Sequence, residues 1–395
     1  MTGVLDGVRV VEMGVWVAGP SAAGVMADWG ADVIKVESPK GDPFRAIFGA
    51  LGYEGEIPNP PFMLDNRGKR SVVLDLRHDA ARAAMERIVA TADVFISNVR
   101  TDALERLGLD AATLTAKYPR LIYGSVTGYG LEGPDRDRAA YDVGGFFARS
   151  GISNLMVPPD QPPLNQRGGF GDHVTGLSAL SGIVGALFAR ERTGKGQVVE
   201  ASLLRSGMYT IGWDLGMQLT MGNVQATCPR SASPTPLINS YRTADDRWFF
   251  LLGLEGDRHW PGVVRAIARD ELLHDERYAT GLDRIRHRRE LIPELDAEFA
   301  KRTMAEWAAI FDANDVWFQM VQTPAEVVED PQAATSIVNV GSDGSRSVGP
   351  PARFSDYPLE ATGPVPGLGE HTAEVLAEVG LSDDEIAALR QYAGS

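Results

Sequence analysis

Cys228 is the single cysteine in 395 residues, so no disulfide can form within the chain and a reducing compartment is expected. Long apolar runs are missing too. No stretch of 18 uncharged apolar residues occurs, and the opening MTGVLDGVRVVEMG has no basic region followed by an apolar run. A cytoplasmic protein that does not enter a membrane is therefore expected. Positive charge is in deficit, with 38 Lys and Arg against 53 Asp and Glu and a net charge of −15. That balance argues against non-specific contact with nucleic acid or anionic membranes, while a small anionic ligand needs only local positive charge. The six histidines (78, 173, 259, 274, 287 and 371) are scattered without Cys or carboxylate partners at ligand spacing, so no metal site is indicated. Internal repeats and low-complexity tracts are absent as well.

What is present is strand and helix in alternation. A chain of this length exceeds one ordinary core, so two domains, or one with an insertion, are expected. Residues 8–13 read as a strand, Pro20 opens a short helix, and 32–37 (DVIKVE) is a second strand. Gly19 and Pro20 then fall at the carboxyl end of the first strand, where open α/β sheets bind ligands. Further strands are expected at 71–76, 93–98 and 120–126, with helices at 80–91 and 101–107 between them. The pattern predicts an α/β fold built on a doubly wound parallel sheet. Residues 38–68 are rich in Pro and Gly and aperiodic, which suits a functional loop or an interface arm. Residues 222–325 read as a hairpin followed by charged helices, a smaller α+β domain, and Thr303 with Glu306 forms a capping box there. Residues 341–351 read as a turn-rich surface connection.

The run Gly128-Tyr129-Gly130-Leu131-Glu132-Gly133 matches G-x-G-x-x-G literally. A dinucleotide fingerprint needs a helix to begin inside it, so that phosphates meet helix N–H groups. The polar, turn-like Pro134 to Arg138 segment follows instead, so nucleotide binding in that mode is not expected.

The stretch 168–203 carries the strongest chemical signal. Asp172 follows the glycines 168, 169 and 171 and precedes apolar residues at helical spacing, and Gly194 stops the helix. This reads as Asp172 at the N-cap, where backbone N–H groups and the helix dipole would favour the ionised carboxylate. A capping role alone would account for an Asp there. The bare glycines before it, and Gly176, Gly182 and Gly185 behind it as places for another backbone to approach, suit an exposed nucleophilic carboxylate instead.

Several segments together resemble the family III CoA-transferases. They are LDGVRVVEMGVWVAGP (5–20), WGADVIKVE (29–37), NRGKRSVVLDL (66–76), DVFISNVR (93–100), GDHVTGLSAL (171–180), RTGKGQVVEASL (192–203), TPAEVVEDPQ (323–332) and GEHTAEVL (369–376). The resemblance implies a large CoA-binding α/β domain begun by residues 1–221, a small domain at 222–325, and a return of 326–395 to the large domain. It also implies an interlocked homodimer, with which the long arms at 38–68 and 131–170 are compatible.

By the same resemblance Asp172 matches the family's catalytic aspartate. It would attack an acyl-CoA thioester to give an anhydride and then an aspartyl-CoA thioester, before CoA passes to a free carboxylic acid. Coenzyme A contacts are implied at Val17, Ala18, Lys69, Arg70, Asn98, Arg106 and Asp142, beside Tyr141. The related racemases carry His where Tyr141 stands, and a tyrosine titrates too high to exchange an α-proton near neutrality without help. Tyr141 thus favours transfer over racemisation, with an acyl-CoA racemase or isomerase, or a silent acyl-CoA-binding protein, as alternatives. Val17 replaces the Gln of formyl-CoA transferase, and no four-glycine loop lies between 222 and 260, Gly253 to Gly256 being the nearest candidate flap. Those departures point to an acid larger or more apolar than formate or oxalate. Trp16, Trp317 and Phe318 are candidates to line an acyl pocket or to pack a core, and His173 reads as a wall residue beside Asp172.

Overall fold

The computed structural model describes residues 3–53, 58–340, 344–357 and 363–393. Residues 54–57 of the 38–68 arm and 341–343 of the 341–351 connection lie outside the described residues. Contacts divide the chain into two compact units. One comprises Met1–Ser153, Leu164–Val224 and Thr335–Ser395, and the other Asn154–Pro163 and Gln225–Ala334.

In the first unit, β1 (Arg9–Met13), β2 (Asp32–Glu37), β3 (Arg70–Val73), β4 (Val94–Ser97), β5 (Ile122–Thr127) and β6 (Val198–Ser202) form one sheet. Their order is β3-β2-β1-β4-β5-β6, and every pairing is parallel. Successive side chains leave opposite faces, so Val11, Ile34 and Phe95 enter one core while Val10, Val33, Val94 and Ile96 enter the other. Three helices matter most: α1 (Ala18–Asp28), α2 (Asp79–Val89) and α3 (Phe170–Thr193). α2 presents Ala81, Ala84, Met85 and Ile88 to the first core, joined by Val375, Leu376, Ile386 and Leu389 from the two carboxyl-terminal helices. α1 and α3 cover the other face through Ala22, Met26, Leu180 and Ile183. Residues Thr335–Ser395 belong to the first unit, and the two helices there pack into the first core.

α1 and α3 approach closely because Gly176 has no side chain. A Cβ there would lie 2.9 Å from the Ala18 carbonyl oxygen and would overlap the Ser21 hydroxyl. The same expectation fails elsewhere on α3, since Gly182 faces the Val199 side chain and nothing lies within 4 Å of a Cβ at Gly185. By length and composition α3 is also long and apolar enough to cross a membrane, a possibility that counting only uncharged residues had excluded. Here one side of it lies on α1, β5 and β6.

The aperiodic arm is more ordered than its composition predicts. It holds a 3-10 turn, Pro43–Ala46, and two helices, Ile47–Ala50 and Pro60–Asn66. The second begins in the sequence signal Asn59-Pro60, where the Asn59 side chain accepts from the Phe62 N–H at 3.0 Å. Likewise Asp110 caps an unexpected helix, Ala111–Lys117. No helix begins inside 128–133, so the literal G-x-G-x-x-G is a turn.

The second unit has a three-stranded antiparallel sheet of β7 (Ser240–Arg242), β8 (Trp248–Leu251) and β9 (Phe318–Met320). Helices Gly256–Ala266, Arg288–Phe299 and Met304–Ala313 pack on it around Tyr241, Phe249, Phe299, Trp307 and Phe311. The Thr303 and Glu306 capping box is formed. Phe318 packs against this core, and the Trp317 ring meets the His259 ring at 4.9 Å.

Candidate active site

The direction of winding reverses between β1, which neighbours β2, and β4, and a crevice opens there at the carboxyl ends of the strands. It is a cavity of about 390 Å³. Val15, Trp16 and Ala18 line it from the turn after β1, Asn98 to Thr101 from the turn after β4, and Val126 to Gly128 from β5. Arg136 to Tyr141 close one side, and Asp172 and Leu203 complete the wall.

The turn after β1 is held in an unusual shape. Trp16 has φ of 63°, a left-handed conformation that a bulky residue adopts only under constraint. Its N–H donates to Asp42 Oδ1 at 3.0 Å, and its ring meets Phe44 and Tyr141 at centroid distances of 6.1 Å each. Asn98 fastens the preceding residue twice: its Oδ1 accepts from the Val15 N–H at 2.9 Å and its Nδ2 donates to the Val15 carbonyl at 2.7 Å. Asn98 therefore serves the cavity by shaping it. Replacing it by Ala removes two part-buried hydrogen bonds, a loss of about 1–3 kcal/mol. Amide exchange in Asn98→Ala is expected to accelerate over residues 14–18 and to stay unchanged in α2; uniform exchange rates would deny the clamp.

Beneath the turn lies a buried charge cluster. Lys35 Nζ reaches Glu12 Oε1 at 2.7 Å, Asp42 Oδ2 at 3.0 Å and the Gly14 carbonyl at 3.0 Å. Lys69 Nζ reaches Glu12 Oε2 at 2.6 Å, the Pro20 carbonyl at 2.8 Å and Asn66 Oδ1 at 3.1 Å. All four ionised side chains are fully buried. Burial opposes the Lys69 charge most strongly and brings its pKa down to about 8, against the pull of Glu12.

Asp172 is not the N-cap. Gly169 occupies that position with φ of 79°, and Asp172 is the third residue of α3. No hydrogen bond reaches its carboxylate among the described residues, which leaves the oxygens free for a reaction. The sequence-based expectation of a favoured ionised form reverses as well. Burial, reinforced by the nearby Asp142 charge and opposed by His173, raises its pKa to about 7. Asp142 is itself buried, accepting from the Val143 N–H at 2.7 Å and from Gln166 Nε2 at 2.6 Å. Tyr141 stands exposed at the cavity rim.

Among the expected ligand contacts, Ala18, Asn98 and Tyr141 come together around Asp172, with Asp142 against it. Four others lie elsewhere. Val17 is buried against Phe44 and Phe62 instead of facing the cavity. Lys69 is locked in the buried cluster just described. Arg70 pairs with Asp32 at 2.7 Å, at the amino ends of the strands and so at the wrong edge of the sheet. Arg106 is exposed and pairs with Asp102 at 2.9 Å. The basic groups that do reach the cavity are Arg100, Arg136 and Arg138, which sequence reasoning passed over. The signal was an arginine three residues after the strand ending at Ser97, and two more in the polar segment that follows β5. A second cavity of about 810 Å³ runs along the same edge at β2 and β3, bordered by Lys40, Leu74, Leu76, Arg77 and Arg82.

A parallel α/β sheet with adjoining cavities at its carboxyl edge, basic side chains around them and one unbonded carboxyl inside defines an enzyme of the α/β class acting on an anionic small molecule. Comparison with known proteins makes that specific: the sequence matches the CoA-transferase family III model over residues 5–372, and the chain belongs to that family of transferases. It is 33% identical over 399 residues to the cinnamoyl-CoA:phenyllactate CoA-transferase of Clostridium sporogenes, covering 99% of this chain and 97% of the relative. It is 30% identical to the (R)-2-hydroxy-4-methylpentanoate CoA-transferase of Clostridioides difficile, covering 97% of each. The crystal structure of a CAIB/BAIF family protein from Brucella suis superposes with a TM-score of 0.84 at 33% identity, covering 96% of this chain and 100% of that one.

Proposed function

We propose that the protein moves CoA from an acyl-CoA thioester to a free carboxylic acid, with Asp172 as the nucleophile. The supporting observation is the unbonded Asp172 carboxyl inside the 390 Å³ cavity. A carboxylate oxygen attacks the thioester carbonyl, the C–S bond breaks, and CoA leaves as thiolate with a mixed anhydride on Asp172. The thiolate attacks the aspartyl carbonyl of the anhydride, which releases the donor acid and leaves an aspartyl-CoA thioester. The acceptor carboxylate attacks that thioester and expels the thiolate again. Attack of the thiolate on the new acyl carbonyl then forms the product and restores Asp172.

The surrounding residues serve this sequence by charge and exclusion of water. Arg100, Arg136 and Arg138 are placed to pair with CoA phosphates, and Lys40 and Arg77 border the neighbouring cavity for its nucleotide end. The amino end of α1 at Ala18 supplies backbone N–H groups toward developing negative charge. Trp16 and Tyr141 make an aromatic wall that suits an apolar acid, in keeping with the branched and aromatic acids named for the two relatives. A homodimer, interlocked as in the family, accounts for an apolar surface left bare on α3, α4 (Leu203–Thr210) and α5 (Gly212–Met221). Phe188, Tyr209, Trp213 and Leu219 are 59%, 88%, 82% and 87% exposed there.

The nucleophile must be ionised, so kcat/KM is expected to rise with pH through an apparent pKa near 7. A flat profile between about pH 5 and 8 would speak against Asp172 as the attacking group. A carboxyl titrating near 7 also suits α-proton exchange, which sustains the racemase reading. Mass spectrometry of acyl-CoA products separates the two. Exchange of CoA onto an added acid supports transfer, whereas deuterium uptake at the α-carbon in D2O without any acceptor selects racemisation.

A further inference from the structure

The turn that follows β1 is held residue by residue from the protein interior. Lys35 donates to the Gly14 carbonyl, Asn98 takes both backbone groups of Val15, and Asp42 takes the Trp16 N–H. Trp16 combines a large side chain with a left-handed backbone, φ being 63°. That conformation disfavours any residue with a Cβ, so a chain that needed only a tight turn would place glycine there. Instead the strain is kept in a residue that lines the cavity together with Asp172.

Asp42 fixes the company of the indole as well as its backbone. Its Oδ1 accepts from the Trp16 N–H at 3.0 Å and from the Phe44 N–H at 2.9 Å, so one oxygen ties down two aromatic residues. Their rings meet at 6.1 Å with an interplanar angle of 50°, and Phe62 backs Phe44 at 6.3 Å. The indole also meets the Tyr141 ring edge-on, at 6.1 Å and 87°. Asp42 is placed from behind in its turn. Its Oδ2 lies 3.0 Å from Lys35 Nζ, and its N–H donates to Glu37 Oε2 at 3.0 Å. Glu37 is itself held by Arg45 and by the Ser71 hydroxyl, each at 2.7 Å. Asp42 is buried and takes no part in the cavity wall, so any effect it has on a substrate passes through the rings it holds.

We propose that Trp16 sets the acyl selectivity of the cavity in favour of acids with a branched or aromatic group, and that Asp42 is the positioning residue that keeps the indole in place. The proposal rests on the reading of this cavity as the seat of acyl transfer. An apolar group on the acid is buried against the indole, whereas acetate has too little apolar surface to gain from that contact.

The test is the ratio of kcat/KM for 4-methylpentanoate to that for acetate, both as CoA acceptors from butanoyl-CoA. The parent protein is expected to favour 4-methylpentanoate. Trp16→Ala should lower the ratio about tenfold through the branched acid, with acetate near its parent value. Asp42→Ala should lower it to a similar extent and add nothing in the Trp16→Ala background, because it acts through the indole. Asp42→Asn retains an oxygen for the two N–H groups and should keep the ratio close to the parent's even where stability falls. A parent that prefers acetate, an unchanged ratio in Trp16→Ala, a further drop in the double variant, or an Asp42→Asn as altered as Asp42→Ala overturns the proposal. Should Asp42→Ala fail to fold, Trp16→Ala and Asp42→Asn still decide it. Exchange retained by Asp172→Ala would remove the nucleophile reading, whereas an inactive Asp172→Ala beside an unmoved ratio in Trp16→Ala would strike this proposal alone.

Discussion

Asp172→Asn is expected to lose CoA exchange by at least about 10⁴-fold while melting at a higher temperature than the parent protein above pH 7. The loss follows from chemistry, because an amide cannot form the anhydride. The gain follows from linkage. A carboxyl whose folded pKa is raised stabilises the fold only while protonated. That contribution is complete below about 3.8 and lost as pH rises through about 7. A rise from 3.8 to about 7 is roughly three units, which at about 1.4 kcal/mol each makes up to about 4 kcal/mol of strain at pH 8. Asparagine never ionises and escapes it. Thermal melts of both proteins at pH 5 and pH 8 check the sign: the advantage of the Asn variant should already be present at pH 5 and be clearly larger at pH 8. A variant less stable than the parent at pH 8 would mean that the native fold welcomes the Asp172 charge.

Lys35→Met is expected to cost about 3–5 kcal/mol, the usual penalty for removing one member of a buried charge cluster. Burial works against the Lys35 charge, yet Glu12 and Asp42 together hold its pKa above 10.5. Its contribution is therefore complete below about 10.5 and lost only as pH rises through the folded value. Without Lys35, Asp42 loses its cation and Glu12 keeps only Lys69. The damage is expected to spread, since Asp42 accepts from the Trp16 N–H and Lys35 donates to the Gly14 carbonyl. Urea unfolding should show a lowered midpoint, and exchange activity should fall even at temperatures where the variant stays folded. Parent-like stability would show that the cluster is neutral for the fold.

Much of the fold was legible because its signals are local. The β1-α1-β2 alternation, the capping box at Thr303 and Glu306, and the start of helix Thr101–Leu107 are set by neighbours in the chain. The Pro60–Asn66 helix was hidden in a Pro- and Gly-rich arm although Asn59-Pro60 announces it. The site was legible in part for a related reason. Glycines before a long helix located Asp172, but Gly169 took the cap, and a shift of three residues placed the carboxyl in the wall of the cavity, away from the capping position. No local pattern reports that Asp142 would come to lie near it. Lys69 and Arg70 illustrate the converse. Lys69 just before β3 and Arg70 at its start point different ways, and partners distant in sequence, Glu12 for one and Asp32 and Glu378 for the other, claimed both. Arg136 and Arg138 read as a solvated turn until the fold carried that turn to the cavity.

The most direct measurement is peptide mapping by mass spectrometry after mixing the protein with an acyl-CoA in the absence of acceptor acid. A CoA-sized addition on the peptide containing Asp172, discharged when an acceptor acid is added, is the predicted result. Full exchange activity with that peptide never modified, under quenching fast enough to trap a thioester, would contradict it.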